Sequence, residues 1–231
     1  MMENNSPASN SKAKLVQVPA GPLLLDGNLS IPEDARGMVL LAQGSRNLED
    51  DSSFGDIAAA LYDAELATLL VHLLIEEEEM VDQETQFFRF NVDILHQRIM
   101  HMAEWLLENP ETHNLSVGYF ANGPTGGAAL IAAARRPDLV HAIVATNART
   151  DLAQPYFARV LAPTYLIAGE NDTLTVRMYT DALAELPAEV ETNKKIELIA
   201  GATGLFETPY LLQKVTGLAS QWFTRHLEPI V

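Results

Sequence analysis

Apolar residues along this chain fall into short runs that alternate with longer stretches of helical spacing. The first two runs, LVQV and LLLDGNLSI, flank the turn Pro19–Pro22 and predict an antiparallel hairpin. Later runs are continuous rather than alternating, which is typical of strands buried on both faces. These buried strands are predicted over residues 37–44, 66–74, 114–123, 139–147, 162–169 and 194–199.

Between the strands, apolar residues recur every three to four positions and predict amphipathic helices. The acidic run Glu76–Glu79 is predicted to be a solvated loop and helix start. Alternation of strands and helices predicts a mostly parallel sheet of seven or eight strands, covered on both faces, with the hairpin at one edge. The helices are predicted over residues 54–64, 90–109, 124–136, 176–186 and 208–226.

The length of 231 residues suits one α/β domain, which we place at residues 14–231. Residues 1–13 are polar and are predicted to be a disordered tail. No apolar run reaches the roughly 18 residues of a membrane-spanning helix. The start of the sequence also lacks a basic and then apolar leader, so a cytoplasmic location is expected.

Charge and cysteine content narrow the chemistry. There is no cysteine, which excludes disulfides, thiolate metal ligands and a cysteine nucleophile. The net charge of −16 argues against a nucleic-acid partner, because phosphates would be repelled. His96 and His101 are five positions apart on a predicted helix, so they do not share a face, and we expect both to be exposed. We therefore predict neither a metal nor a cofactor.

Several longer segments carry a family resemblance. They resemble, in order and spacing, the dienelactone-hydrolase-like branch of the α/β hydrolases. The resemblance implies an α/β-hydrolase fold and a catalytic serine, aspartate and histidine in that chain order. The segments are LLVHLLIEEEE, GYFANGPTGGAAL, ARTDLA, APTYLIAGENDTL, AGATGLFETP and the helix ending WFTRHL.

The matched catalytic positions differ from what this resemblance implies. Gly123 stands where the family has its serine, and Gly204 stands where the family has its histidine. Asp172 retains the acid. A glycine can neither attack a carbonyl carbon nor accept a proton, so no serine–histidine pair can form at these positions.

Two more polar positions around the predicted site also depart from the family. Gln43-Gly44 stands where His-Gly is common, and His72 stands where aspartate is common. The loop from Gln43 to Arg46 usually supplies an oxyanion-hole amide, and we expect its backbone amides and those near Gly123 still to bind an anion or carbonyl oxygen. The candidate pocket or ligand-contacting residues are Gln43, Gly44, Ser45, His72, Asn122, Thr125, Asp172 and Phe206.

Structural roles compete with ligand contacts at these candidates. Asn122 and Thr125 are predicted to cap the helix that follows them, as Ser, Thr and Asn commonly do. His72 is predicted to be a buried, hydrogen-bonded side chain. Asp172 is predicted to cap the helix that begins near Val176.

Three functions remain open. The favoured one is a catalytically inactive homologue that serves as a protein-binding or scaffold domain, with a protein partner or self-association. The second is an esterase or lyase with a rewired site around Gln43, His72, Asn122 and Asp172. The third is a small-molecule sensor that retains the pocket. A filled pocket, with an exposed apolar surface on the 210–222 helix, would favour the scaffold, and an open pocket would favour the sensor. The favoured expectation for that helix is that its apolar residues all face the core; they are Tyr210, Leu211, Val215, Leu218 and Trp222.

Overall fold

The computed structural model of the chain describes residues 13–44, 48–184, 193–203 and 208–229. The strands in these ranges are β1 (Lys14–Ala20), β2 (Leu23–Ser30), β3 (Gly37–Gln43), β4 (Leu66–His72), β5 (Val117–Asn122), β6 (Ala142–Thr146), β7 (Thr164–Gly169) and β8 (Lys194–Ile199). The helices are α1 (Leu48–Asp63), α2 (Glu76–Thr85), α3 (Val92–Glu108), α4 (Gly123–Arg135), α5 (Thr150–Phe157), α6 (Thr173–Ala184) and α7 (Pro209–His226).

These strands form one eight-stranded sheet in the order β1-β2-β4-β3-β5-β6-β7-β8. β1 and β2 pair in antiparallel fashion, as does β2 with β4, and all the remaining pairs are parallel. The hairpin closes at Gly21, whose φ of 69° favours glycine. The predicted mostly parallel sheet with a leading hairpin is confirmed.

Helices cover both faces of the sheet. α3, α4, α5 and α6 contribute to one apolar core, whereas α1 and α7 contribute to the core on the other face. All seven residues of β3 are buried, because this strand lies at the centre of the sheet and is covered from both sides. The two cores therefore hold the carboxyl ends of β3 and β5 side by side.

Two helices differ from the prediction. The acidic run begins a helix, as predicted, but it lies within α2 rather than in a loop, and Glu79 is buried rather than solvated. The N–H of Ile75, the residue before α2, donates to a Glu78 carboxylate oxygen at 3.2 Å. Acidic side chains are favourable at a helix N-terminus, because the helix dipole is positive there. Helix α5 was not predicted at all, since it is short and contains Pro155.

Helix α7 does not carry the exposed apolar surface that the scaffold function requires. Val215 is buried, and Leu211, Leu218 and Trp222 pack against the core beneath the helix. Among the five apolar residues considered, only Tyr210 is mainly exposed, at 69%. The expectation that these residues face the core is therefore confirmed for four of the five, and the alternative of a partner-binding surface on this helix is wrong.

The prediction that His96 is exposed is also wrong, because its side chain is buried within α3, and His101 is half-buried. Nδ1 of His96 lies 2.8 Å from the Val92 carbonyl oxygen, so Nδ1 carries the hydrogen. Burial lowers the pKa of His96 below its usual 6.5. Between the lowered pKa and 6.5, the folded state binds fewer protons than the unfolded state. The stability gained from burying the neutral His96 is therefore fully present above pH 6.5 and is lost as the pH falls below it.

We accordingly expect the free energy of unfolding in urea to decrease between pH 7.5 and pH 5. His96→Gln should reduce that dependence, because the titrating group is gone, whereas His113→Gln, at an exposed position, should preserve it. A smaller dependence should remain in His96→Gln, since burial also lowers the pKa of His226. An unchanged pH dependence in His96→Gln would contradict the assignment.

Candidate ligand-binding cleft

A sharp turn joins β5 to α4 at the carboxyl edge of the sheet. Asn122 ends the strand, and Gly123 begins the helix with a φ of 55°. In α/β hydrolases the nucleophile occupies such a strand-to-helix turn, which exposes its side chain above the sheet. A Cβ atom added at Gly123 would meet no heavy atom within 4 Å. The turn therefore has space for a side chain but carries none.

Pro124 follows Gly123 and stands at the first turn of α4. The amide after the nucleophile normally donates one of the two oxyanion hydrogen bonds in this fold, and proline has no amide hydrogen. The expectation that the amides at this turn would still bind a carbonyl oxygen is thus wrong at Pro124. The proline is visible in the sequence, but its consequence follows only from the turn, which places residue 124 where the oxyanion amide would lie.

Thr125 closes the space between this turn and the end of β3. Its side chain is buried, and a Cβ atom on Gly44 would collide with the Thr125 hydroxyl oxygen. In the family pattern G-x-S-x-G, the last glycine stands two residues after the nucleophile, and Thr125 occupies that position here. Thr125 therefore narrows the region in which a hydrolase would hold its oxyanion.

The capping role predicted for Asn122 is wrong. The residue precedes α4, but its side chain makes no capping hydrogen bond. Its Oδ1 instead accepts a hydrogen bond from the Thr146 hydroxyl at 3.2 Å, which ties the ends of β5 and β6 together. Thr125 lies inside the first turn of the helix and does not cap it either.

An open cleft of about 190 Å³ lies in front of the turn. It brings together five of the positions identified from sequence: Gln43, Gly44, Asn122, Gly123 and Thr125. It also includes side chains that sequence analysis missed: Ala42, Phe54, Arg89, Phe90 and Pro124. Two other candidates, His72 and Asp172, are not among its described lining residues. Ser45, Gly204 and Phe206 lie outside the described residues.

Arg89 is the charged side chain in the described lining. Its Nε donates to the Asp82 carboxylate at 2.5 Å, and its backbone N–H donates to the other carboxylate oxygen at 2.8 Å. Asp82 is fully buried, whereas the Arg89 side chain is 32% exposed. The guanidinium is therefore held in a fixed position at the mouth of the cleft. Nothing in the periodicity of the sequence indicated this residue, because it lies in the irregular segment between α2 and α3.

Asp172 caps a helix, which is one of the two roles predicted for it; the other was a contact with a ligand in the pocket. One carboxylate oxygen accepts the backbone N–H of Thr175 at 3.1 Å, and the other accepts the Thr175 hydroxyl at 2.7 Å. These bonds cap α6, which begins at Thr173 rather than near Val176. Both oxygens of the retained acid are therefore engaged within their own helix turn.

His72 ends β4 directly beside Gln43, the last residue of β3. It is half-buried, so the prediction of a buried side chain is met only in part. Near Asp172, the N–H of Asn171 donates to the Ala202 carbonyl at 2.8 Å, so the segment leading to position 204 starts beside the acid loop. The sequence predicts that the matched positions Gly123, Asp172 and Gly204 cluster near the carboxyl ends of the strands, and this stays a prediction because Gly204 lies outside the described residues.

No three histidine, aspartate or glutamate side chains group as a metal site in the ranges that the structure describes. Within the same ranges, no helix is long and apolar enough to cross a membrane.

The sheet order and the turn after β5 define an α/β hydrolase, and comparisons with known proteins refine this class. No family model matches the sequence. The structure is similar to that of a dienelactone hydrolase from Anabaena variabilis, with 41% identity, a TM-score of 0.87, and coverage of 94% of this chain and 99% of the other. The chain therefore belongs to the dienelactone-hydrolase-like branch of the α/β hydrolases.

Other relatives are more distant or longer. A dienelactone-hydrolase-like promiscuous phosphotriesterase from metagenomic libraries, P91, shares the fold at 14% identity and a TM-score of 0.68, covering 94% of this chain and 98% of its own. Two curated Mycobacterium tuberculosis proteins, provisionally named phosphoribosyl transferases, are each 38% identical over 212 residues, which is 92% of this chain. The match covers 46% of their sequences, so the chain spans about half the length of these relatives.

Proposed function

We propose that this domain has lost serine hydrolysis and uses the retained cleft to bind a small anionic ligand. The observation that carries the proposal is the turn after β5. It keeps the backbone geometry and the open space of a nucleophile turn at Gly123, yet the following residue is Pro124. The turn therefore offers neither a nucleophilic side chain nor the amide that would stabilise an oxyanion.

The loss of both groups removes different parts of the reaction. Without a nucleophile no acyl-enzyme forms, and the residual catalysis of serine hydrolases lacking triad members depends on the oxyanion hole and substrate binding. Here the oxyanion hole is impaired as well, because Pro124 cannot donate a hydrogen bond. The remaining use of the site is binding.

The lining of the cleft supports a ligand with a ring-sized apolar part and one negative charge. A cavity of about 150 Å³ holds benzene in another protein, and this cleft is larger, at about 190 Å³. Phe54, Phe90 and Pro124 supply apolar surface, whereas Gln43 and Arg89 supply polar contacts. Such a mixture of apolar walls and few polar groups is typical of small-molecule sites, and a guanidinium binds carboxylates with good geometry.

The inactivity is tested directly on the purified protein. We expect no labelling by a fluorophosphonate probe and no hydrolysis of activated aryl esters above a buffer-plus-albumin control, because both need an activated serine. Stoichiometric labelling of any serine, located by peptide mass spectrometry, would overturn the proposal of inactivity.

Ligand binding is tested by isothermal titration calorimetry with benzoate as the probe. Arg89→Lys should lower the affinity by about tenfold or more, since a lysine keeps the charge but loses the guanidinium fork. Arg177→Lys is the matched control, because Arg177 is 82% exposed on α6. Circular dichroism would verify that both variants are folded. No binding of benzoate by the wild-type protein, or equal effects of the two variants, would contradict this function.

The protein-binding role is a second candidate, supported by the length of the Mycobacterium tuberculosis relatives. The name of these relatives assigns them a transferase activity, which their unmatched half would carry. The domain described here would then pack against that half. Co-purification of the chain with that half, expressed separately, is the test. The rewired hydrolase has less support, since His72 is not among the described lining residues of the cleft.

A further inference from the structure

A second depression adjoins the cleft between α2 and α3. It is a shallow groove of about 420 Å³, lined by Gln86, Phe87, Phe90, Asn91, Val92 and Asp93. Phe90 lines both the groove and the cleft, so one side chain separates the two spaces.

The groove has a fixed backbone. Gln86 ends α2 in the left-handed region, with a φ of 56°, and its N–H donates to the Asp82 carbonyl at 2.8 Å. The Asp82 carboxylate accepts the N–H of Arg89, and the Asn91 side chain caps α3 by accepting the N–H of Ile94 at 3.2 Å. The segment between the two helices is thus tied at both ends, and its shape is set before any ligand arrives.

Aromatic surface is exposed along this segment. Phe87 is 57% exposed and packs edge-to-face on Phe88, with ring centroids 5.2 Å apart. Phe90 is 42% exposed, and the guanidinium of Arg149 lies 5.8 Å from its ring centroid. Contiguous exposed apolar surface beside a cleft is typical of a binding groove.

The charges beside Phe90 have separate roles. The guanidinium of Arg149 is engaged by both carboxylate oxygens of Asp151, at 2.8 and 2.7 Å. Two of the five N–H donors of the Arg89 guanidinium are engaged by Asp82: Nε donates to its carboxylate and Nη2 donates to its backbone carbonyl. Within the residues that the structure describes, the other N–H donors of Arg89 make no hydrogen bond, so they can engage an anionic group at the junction of the cleft and the groove.

We propose that the cleft and the groove form one site for an elongated amphipathic monocarboxylate, a medium-chain fatty acid. Its carboxylate binds Arg89, and its alkyl chain lies along Phe90, Phe87 and Val92. This inference rests on the proposed function, because it extends the same anion-binding cleft. The net charge of −16 disfavours binding of an anion. Two contributions offset this repulsion at the proposed site: the positive charge of Arg89 and the burial of apolar surface by the alkyl chain.

The test is calorimetric titration with acetate, hexanoate and decanoate, below micellar concentrations, and with decanol as the uncharged match of decanoate. Affinity should rise by up to about fourfold for each added methylene from hexanoate to decanoate, as expected for burial of a CH₂ group. Decanol should bind at least about tenfold more weakly than decanoate, because it lacks the charge that Arg89 recognises.

Phe87→Ser is the informative variant, since Phe87 lines the groove and is not among the cleft residues. It should flatten the dependence on chain length and leave benzoate affinity unchanged. Leu161→Ser is the matched control, because Leu161 is 61% exposed outside both depressions, and it should change neither.

Two failures are distinguishable. Benzoate binding that depends on Arg89, together with equal affinities for hexanoate and decanoate, would overturn the fatty-acid site and leave the anion-binding cleft standing. A chain-length dependence that survives unchanged in Phe87→Ser would also overturn it. Absence of binding by benzoate and by every acid would overturn both proposals.

Discussion

Adding Pro124→Ala to the pair Gly123→Ser and Gly204→His is expected to raise aryl-ester hydrolysis by about 10²–10³-fold over the pair alone. The pair restores the residue types of nucleophile and base, and Asp172 is already present. The third change restores the backbone N–H that donates to the oxyanion, and loss of one such donor costs about this factor in known hydrolases. Initial rates on an activated acetate ester, with titrated active sites, measure the effect.

The space at the turn makes this variant feasible. A Cβ atom at position 123 is unobstructed, although a serine with a φ of 55° carries a strain of about 1–3 kcal/mol. Gly123→Ser with Pro124→Ala, but with Gly204 kept, is the control that lacks a base, and it should remain inactive. Equal rates for the pair and the triple variant would show that Pro124 is not the obstacle. No activity in the triple variant would contradict the assignment of Gly123, Asp172 and Gly204 together as the positions of a former triad.

Arg98→Ala is expected to lower the free energy of unfolding by about 3–5 kcal/mol, the cost of removing one partner from a buried ion pair. Nη1 and Nη2 of Arg98 each lie 2.6 Å from a different carboxylate oxygen of Glu78, and Nη1 also donates to the Leu73 carbonyl at 2.5 Å. The two side chains are only 8% and 14% exposed. Urea unfolding followed by circular dichroism measures the change.

The control for this stability effect is Arg177→Ala. Arg177 pairs with Asp181 on α6, but the side chains are 82% and 68% exposed, so the loss should be about 0–1 kcal/mol. A loss below about 1 kcal/mol in Arg98→Ala would contradict the buried-pair assignment. The pair matters for the cleft because it joins the start of α2 to α3 and the end of β4, the elements that flank Arg89.

Titration of Glu78 adds a second measurement on the same pair. Burial alone would raise the pKa of Glu78, but hydrogen bonds from Arg98 and from the Ile75 N–H, together with the Arg98 charge, outweigh it and lower the pKa. This stabilisation is therefore present above the usual pKa of a glutamate and is lost as the pH falls through the lowered value. Arg98→Ala should remove that part of the acid sensitivity.

The sequence by itself determined the sheet, the turn after β5 and the residue types at the turn. Continuous apolar runs such as 37–44 predict buried strands wherever they are placed, because their side chains need cover on both faces. Gly123 has no side chain in any fold, and Pro124 has no amide hydrogen. The sequence and the place of the turn are therefore enough to conclude that this position carries no nucleophile.

The tertiary structure decided which side chains surround the turn and how each is occupied. Phe54, Arg89 and Phe90 come from segments well separated in sequence from Gly123, and they reach the cleft only because α1 and the α2–α3 segment pack against neighbouring strand ends. The burial of His96 and the hydrogen bond between Asn122 and Thr146 likewise depend on which neighbours each side chain meets. Periodicity gives the face of an element on which a residue lies, but burial and partners arise from the packing of one element against another.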